Sequence, residues 1–104
     1  MKEQDLVNEI IAYINLTGNV ATRINSGMQI IPGNQRRVFR GAPAGTADII
    51  ACIKGRYVAI ECKLPGNKPT LPQQMYLKMV TDAGGVAVVA YSLDDVINAI
   101  AQNF

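Results

Sequence analysis

The chain has 104 residues, of which 49% are hydrophobic, so it is long enough for one compact core and too short for two ordinary domains. Its formal charge is +2 and it contains no histidine, which excludes Ser-His-Asp and Cys-His triads and nucleases that use a histidine base. No apolar run approaches the roughly 20 residues of a membrane span, and the N-terminus does not resemble a signal sequence. We therefore expect one cytoplasmic domain, residues 1–104, with no membrane segment.

The first half of the chain predicts one helix followed by short strands. Apolar residues at helical spacing predict a helix from about residue 3 to residue 16, which ends at Thr17-Gly18-Asn19. Residues 20–24 and 28–31 are candidate strands, residues 32–37 form a polar loop, and residues 41–45 form another flexible segment.

The second half carries clearer signals. Residues 46–53 and 57–63 predict a pair of strands joined around Lys54-Gly55, and Thr70-Leu71-Pro72-Gln73 has the capping-box pattern that opens a second helix ending near residues 84–85. Residues 86–91 are apolar throughout, as in a strand covered on both faces, and a last helix begins after Ser92. This order predicts an α/β fold: a helix, a mixed β-sheet with a right-handed βαβ crossover, and a C-terminal helix.

Positive charge is concentrated in the middle of the chain. Residues 23–78 contain nine basic residues and only two acids, Asp48 and Glu61. A basic segment indicates a polyanionic partner, and isolated carboxylates within it would repel that partner unless a divalent cation lay between them. The candidate phosphate contacts are Arg23, Arg36, Arg37, Arg40 and Lys68.

The two acids are predicted to meet across a hairpin. Glu61 and Lys63 are two residues apart in a strand, so their side chains leave the same face, while Val58, Ile60 and Cys62 point to the other face. If the loop at Lys54-Gly55 has an even number of residues, Asp48 lies directly opposite Glu61. A three-residue loop would instead place Asp48 opposite Cys62.

Such a pair of carboxylates indicates a site for a hard cation. Oxygen ligands without histidine or thiolate favour Mg²⁺, with Mn²⁺ as a substitute, and Lys63 would stabilise negative charge at a reacting phosphate. An isolated Glu-x-Lys is weak evidence, since strand ends often carry solvated charges. The aspartate on the preceding strand, the basic surroundings and the capped helix that follows favour a nuclease.

Three segments together resemble a known family. Gly45-Thr46-Ala47-Asp48, Ile60-Glu61-Cys62-Lys63 and Thr70-Leu71-Pro72-Gln73 are similar to successive motifs of the PD-(D/E)XK nuclease superfamily, specifically its virus-type replication-repair nuclease (VRR-NUC) branch. Arg23-Ile24-Asn25-Ser26-Gly27 is similar to the family's Arg-x-Asn-x-Gly segment. Ala47 departs from the proline that many relatives carry. The resemblance implies a restriction-endonuclease-like core and Mg²⁺-dependent cleavage of DNA, with four-way junctions among its substrates.

The resemblance also implies an acid in the first helix and a glutamine at the start of the second. Glu3 and Glu9 are both candidates for the acid, and helical geometry directs Glu3 toward the sheet and Glu9 away from it, which favours Glu3 as a third metal ligand. Gln73 matches the family's glutamine, and it could act on the phosphate or simply cap the helix together with Thr70.

The remaining expectations concern thiols, assembly and alternative functions. Cys52 and Cys62 lie in apolar stretches, which predicts inert core thiols. The second helix carries more apolar residues than one buried stripe needs, among them Met75 and Met79, which together with the resemblance predicts a homodimer. The competing functions are a non-catalytic nucleic-acid-binding module and a protein-interaction subunit of a larger replication or restriction complex.

Overall fold

The computed structural model describes residues 1–25, 28–30, 38–40 and 42–104, with residues 28–30 and 38–40 described by their backbone alone. The elements, in chain order, are α1 Glu3–Leu16, β1 Val20–Arg23, β2 Met28–Ile30, β3 Val38–Arg40, β4 Ile49–Ile53, β5 Arg56–Cys62, α2 Leu71–Asp82, β6 Val86–Ala90 and α3 Leu93–Asn103. Within these ranges, no helix is long and apolar enough to span a membrane.

The main sheet is mixed and contains four strands in the order β1-β4-β5-β6. β4 pairs antiparallel with both β1 and β5, whereas β5 and β6 are parallel and are connected through α2. The β5-α2-β6 unit is the predicted βαβ crossover, so the expected α/β architecture is confirmed. β2 and β3 form a separate antiparallel ribbon, and β3 was not among the predicted strands.

A two-residue turn sets the register of the central hairpin. Ile53 pairs with Arg56, which leaves only Lys54 and Gly55 in the loop. Both loop residues have positive φ, 50° and 80°, as a type I′ turn requires. The loop therefore has an even number of residues, which places Asp48 opposite Glu61, and the three-residue alternative is excluded.

Helices cover the two faces of the sheet unequally. On one face, α1 and α3 bury a large cluster that includes Ile10, Val96 and the alternate β5 residues Val58 and Ile60. On the other face, α2 packs on β5 and β6 over a smaller cluster around Ala59. Because α2 contacts β5 and β6 only, no helix among the described residues lies over the β1 and β4 side of this second face.

One of the two predicted core thiols lies on the half of the sheet that α2 does not cover. Cys62 is buried under α1 and α3, as expected, but Cys52 is exposed. Cys52 lies on β4 and pairs with Val20 and Tyr57, on the half of the face that α2 does not reach. The apolar neighbours of Cys52 in the sequence lie largely on the opposite face of the sheet, so they do not predict whether Cys52 itself is buried.

Several predicted boundaries also change. The strand predicted over residues 46–53 begins only at Ile49, because Thr46 and Asp48 lie in the segment that leads into β4. The predicted polar loop at residues 32–37 lies outside the described residues. The three helices begin and end within about two residues of their predicted positions, and α2 begins after the predicted Thr70 cap.

Candidate active site

Asp48 and Glu61 face each other across the β4-β5 hairpin. The last pair of the ladder is Ile49 with Ile60, so the next residue on each strand is Asp48 and Glu61. The Asp48 Oδ2 atom accepts a hydrogen bond of 2.9 Å from the backbone N–H of Cys62, and the Asp48 carbonyl accepts one of 2.8 Å from Ile24. These backbone contacts fix Asp48 at the N-terminal end of β4, an inner strand of the sheet, beside Glu61.

Glu61 is the buried charged residue of the described core, with only 1% of its surface exposed. It lies between Ile60 and Cys62, which are both fully buried on the opposite face of β5. Burial, followed by the charge and hydrogen bond of the Asp48 carboxylate, raises the pKa of Glu61 to about 8, while Lys63 acts in the opposite direction. Glu61 therefore retains its proton at neutral pH unless another positive charge approaches.

The donor set fits a hard divalent cation. The Glu61 Oε2 atom is buried and has no hydrogen-bond partner among the described residues, which is costly for a carboxyl oxygen that binds nothing. A cation at this oxygen and at Asp48 would replace the proton and remove the repulsion between the two acids. Within the described part of the chain, no group of three or more acidic, cysteine or histidine side chains is placed to hold one ion. The geometry thus supplies a pair of carboxylates, and Mg²⁺ commonly binds through one or two carboxylates while it keeps several waters.

Lys63 completes a cluster of charges on the α2 face of the sheet. It directly follows the last residue of β5, and its backbone N–H donates a 3.0 Å hydrogen bond to the carbonyl of Ala90 on β6. It is half-buried, and its charge lowers the pKa of Glu61, so the ammonium lies within electrostatic reach of the carboxylate pair. Cys62 faces the opposite side, where burial raises the pKa of its thiol to about 12, so it remains protonated.

The two candidate helix acids differ in position as predicted. Glu3 is half-buried at the start of α1, and its charge contributes to the raised pKa values of Glu61 and Cys62. Glu9 is exposed on the outer side of the helix. The burial of the two acids agrees with the predicted helix faces, while direct ligation of a metal by Glu3 stays a prediction, because Glu3 does not join Asp48 and Glu61 in one cluster of the described residues.

Gln73 caps α2. Its Oε1 atom accepts a 2.8 Å hydrogen bond from the backbone N–H of Thr70, and the Thr70 hydroxyl accepts one of 3.4 Å from the N–H of Gln73. The capping alternative is thus present in the fold. The capping bond uses the carbonyl oxygen of the side-chain amide, so the Gln73 Nε2 group keeps its two donors for another contact.

The predicted phosphate contacts are only partly described. Arg23 is exposed on β1, and its guanidinium donates a hydrogen bond to the Asn8 side chain of α1. Lys68 is exposed in the loop before α2. Arg36 and Arg37 lie outside the described residues, and Arg40 is described by its backbone in β3 alone.

Gly45 has a structural role that the sequence reading missed. Its φ is +90°, and a Cβ atom at this position would lie 2.7 Å from the backbone oxygen of Pro72. Only glycine allows the segment that leads to Asp48 to lie this close to the first turn of α2. The signal in the sequence is the glycine that opens Gly45-Thr46-Ala47-Asp48. Its contact with Pro72 brings this motif next to Thr70-Leu71-Pro72-Gln73.

Comparison with solved structures agrees with this fold. A structure described as a VRR_NUC domain superposes with a TM-score of 0.69 at 16% sequence identity, covering 100% of both chains. A second, described as a VRR_NUC domain protein, gives a TM-score of 0.59 at 23% identity and covers 98% of this chain and 87% of the other. No protein-family model and no curated protein sequence matches the chain. The chain therefore has the fold of a VRR-NUC domain, as its motifs predicted.

Proposed function

We propose that this chain, which has the fold of a VRR-NUC domain, is a metal-dependent endonuclease that hydrolyses the phosphodiester backbone of DNA. One observation carries the proposal: Glu61 is buried opposite Asp48 with Lys63 beside it, and one of its oxygens has no hydrogen-bond partner in the described part of the chain. A buried carboxyl group in this environment destabilises the metal-free fold. Its presence is explained if the pair serves chemistry.

In the proposed mechanism, Asp48 and Glu61 would hold Mg²⁺, for which Mn²⁺ can substitute, and Glu3 is the proposed third carboxylate. The bound ion supplies Lewis acidity toward a phosphate oxygen and lowers the pKa of a water molecule. Lys63 stabilises the negative charge that develops on the phosphate, and the Nε2 group of Gln73 donates to a phosphate oxygen from the N-terminus of α2. Both roles agree with the positions of these residues on the α2 side of the sheet.

The proposed substrate is DNA, held through its phosphates. Arg23 and Lys68 are exposed cations on separate elements, and Arg36, Arg37 and Arg40 extend the basic segment in the sequence. Contacts of this kind position a duplex without reading its sequence. Selection among substrates would then follow DNA shape, and we propose branched DNA such as four-way junctions as the preferred substrate.

A homodimer is the proposed active species. Leu71, Met75 and Met79 recur every four residues along α2 and are 68%, 58% and 66% exposed. With the neighbouring segment of residues 42–46 they line an apolar groove of about 550 Å³. Two copies related by a two-fold axis would each cover the exposed apolar residues of the other's α2. The pair would present two identical sites to a branched substrate of similar symmetry.

The nuclease proposal is tested by incubating the pure protein with linear, flap and four-way-junction DNA, in Mg²⁺, Mn²⁺ or EDTA. We expect nicking with either metal and none in EDTA. Asp48→Asn and Glu61→Gln should abolish nicking and retain DNA binding, whereas Glu9→Gln, the matched exposed control, should cleave normally. DNA binding without nicking under any condition would instead favour a non-catalytic nucleic-acid-binding module.

The dimer is tested separately by light scattering at micromolar protein. Met75→Glu places a charge in the apolar stripe, and we expect it to reduce the measured mass to that of one 11.2 kDa chain. Lys78→Gln changes an exposed residue of the same helix outside the stripe and should leave the dimer intact. A mass near 11.2 kDa for the unmodified protein, alone and with junction DNA, would contradict the proposal.

A further inference from the structure

An apolar groove of about 390 Å³ lies on the half of the sheet that α2 leaves uncovered. Its floor consists of alternate residues of β1 and β4, and Tyr57 forms one wall. Of the described residues that line it, none is charged. The lining residues that carry the argument are Val20, Thr22, Ile24, Ile50, Cys52 and Tyr57.

The groove is continuous with the candidate active site. Ile24 donates its backbone N–H to the Asp48 carbonyl at 2.8 Å, which extends the β1-β4 ladder by one residue. Ile24, Asp48 and Glu61 therefore follow one another in a single row across the sheet, on the same face as the groove. A ligand in the groove would have one end beside the carboxylate pair.

Tyr57 is held in a fixed orientation at the far end of the groove. Its hydroxyl lies 2.7 Å from the hydroxyl of Tyr76 on α2, which joins the sheet to the helix. Burial raises the pKa of Tyr76 to about 12, so this phenol is uncharged at neutral pH. The Tyr57 side chain is 47% exposed, and since its hydroxyl is already bonded, the part it offers to a ligand is the ring.

We propose that this groove binds unpaired nucleobases of the DNA strand next to the cleaved phosphate, with Tyr57 as the stacking surface. The inference rests on the proposed nuclease function and specifies how that site selects DNA with unpaired nucleotides. An uncharged groove cannot hold phosphates, whereas bases present flat, weakly polar faces that stack on aromatic rings. The phosphates of the same strand would follow cations outside the groove, among them Lys63, which lies on the same face of the sheet as Glu61.

The experiment measures binding in EDTA, so that no cleavage is needed. The probes are a short blunt duplex and the same duplex with an unpaired tail that contains 2-aminopurine. We expect the unmodified protein to bind the tailed duplex more tightly and to quench the 2-aminopurine fluorescence. Tyr57→Ala should weaken binding of the tailed duplex by roughly 5- to 150-fold, the range for loss of one stacked base, and change binding of the blunt duplex by less than about twofold.

Two further variants separate stacking from folding. Tyr57→Phe keeps the ring and should keep both the preference and the quenching, whereas Tyr57→Leu fills the space without an aromatic face and should lose both. These two variants decide the question if Tyr57→Ala does not fold by circular dichroism. Equal losses on blunt and tailed DNA, or quenching that persists in Tyr57→Leu, would overturn the proposal.

The same preparations distinguish the remaining outcomes. If light scattering shows that Tyr57→Leu changes the mass of the assembly, the groove is an interface between copies and the proposal is wrong. Metal-dependent nicking with no dependence on Tyr57 would overturn the groove and leave the nuclease function standing. Tail-dependent binding and quenching without nicking in Mg²⁺ or Mn²⁺ would support the groove and overturn the nuclease function.

Discussion

Replacing Glu61 with glutamine should make the metal-free protein more stable at alkaline pH. The side chain is 1% exposed and its folded-state pKa is about 8, against 4.5 for the ordinary group. Between these values the folded chain retains a proton that the unfolded chain has released, so the free energy of unfolding falls as pH rises. At about 1.4 kcal/mol per pH unit, the loss over the whole window is at most about 5 kcal/mol. Because the neighbouring Asp48 carboxylate contributes part of the Glu61 shift, we expect the loss to be a few kcal/mol.

The assay is urea denaturation in EDTA at pH 5, 7 and 8.5, followed by far-ultraviolet circular dichroism. Near pH 5 Glu61→Gln and the unmodified protein should have similar stability, and at pH 8.5 the variant should be more stable by a few kcal/mol. Mg²⁺ at 100 times its dissociation constant should restore about 2.7 kcal/mol to the unmodified protein and nothing to the variant. Glu9→Gln, which changes an exposed acid on α1, should follow the unmodified protein throughout. Parallel pH profiles for Glu61→Gln and the unmodified protein would refute the reasoning.

Three further predictions follow from the site and its supports. Lys63→Met should lower the rate constant for DNA cleavage by roughly 10²- to 10³-fold at unchanged unfolding free energy, as loss of one electrostatic contact to the reacting phosphate does, and an unchanged rate would remove Lys63 from the chemistry. One glycine inserted between Lys54 and Gly55 should retain nicking, because the extra residue lies in the loop, Ile53 still pairs with Arg56, and Asp48 stays opposite Glu61; loss of nicking in a variant with an unchanged circular dichroism spectrum would contradict this. DNA affinity should fall linearly with salt on a log-log plot, and Lys68→Ala should reduce the slope by about one if Lys68 contacts a phosphate; an unchanged slope would show that it does not.

The sequence predicted the carboxylate pair because the signals that create it are local. A Lys-Gly dipeptide between two strand-like segments indicates a turn but leaves its length open, and the period of two along each strand determines which side chains share a face. Any loop with an even number of residues places Asp48 opposite Glu61, and the two-residue loop of the structure meets this condition. The helix face of Glu3 followed in the same way from the period of 3.6.

Features that depend on contacts between distant elements were not predictable. The apolar sequence around Cys52 predicts a core thiol, but the exposure of Cys52 depends on where α2 crosses the sheet, which nothing near it in the sequence indicates. The bond between Tyr57 and Tyr76 joins residues 19 positions apart on different elements. β3 has only three residues, too few to show the period of two that marks a strand, so its pairing with β2 leaves little trace in the sequence.

The position of α2 connects the candidate active site to the groove beside it. Because α2 crosses only β5 and β6, it leaves the face over β1 and β4 uncovered, and its N-terminus reaches the segment before Asp48, where Gly45 allows contact with Pro72. A helix centred over the whole sheet would have buried Ile50 and Cys52 more deeply and would have left no surface for a substrate next to Glu61. The position of α2 therefore accounts for both features: the carboxylate that weakens the metal-free fold, and the apolar surface that α2 leaves uncovered. This association is what a site shaped for a ligand, rather than for stability, is expected to have.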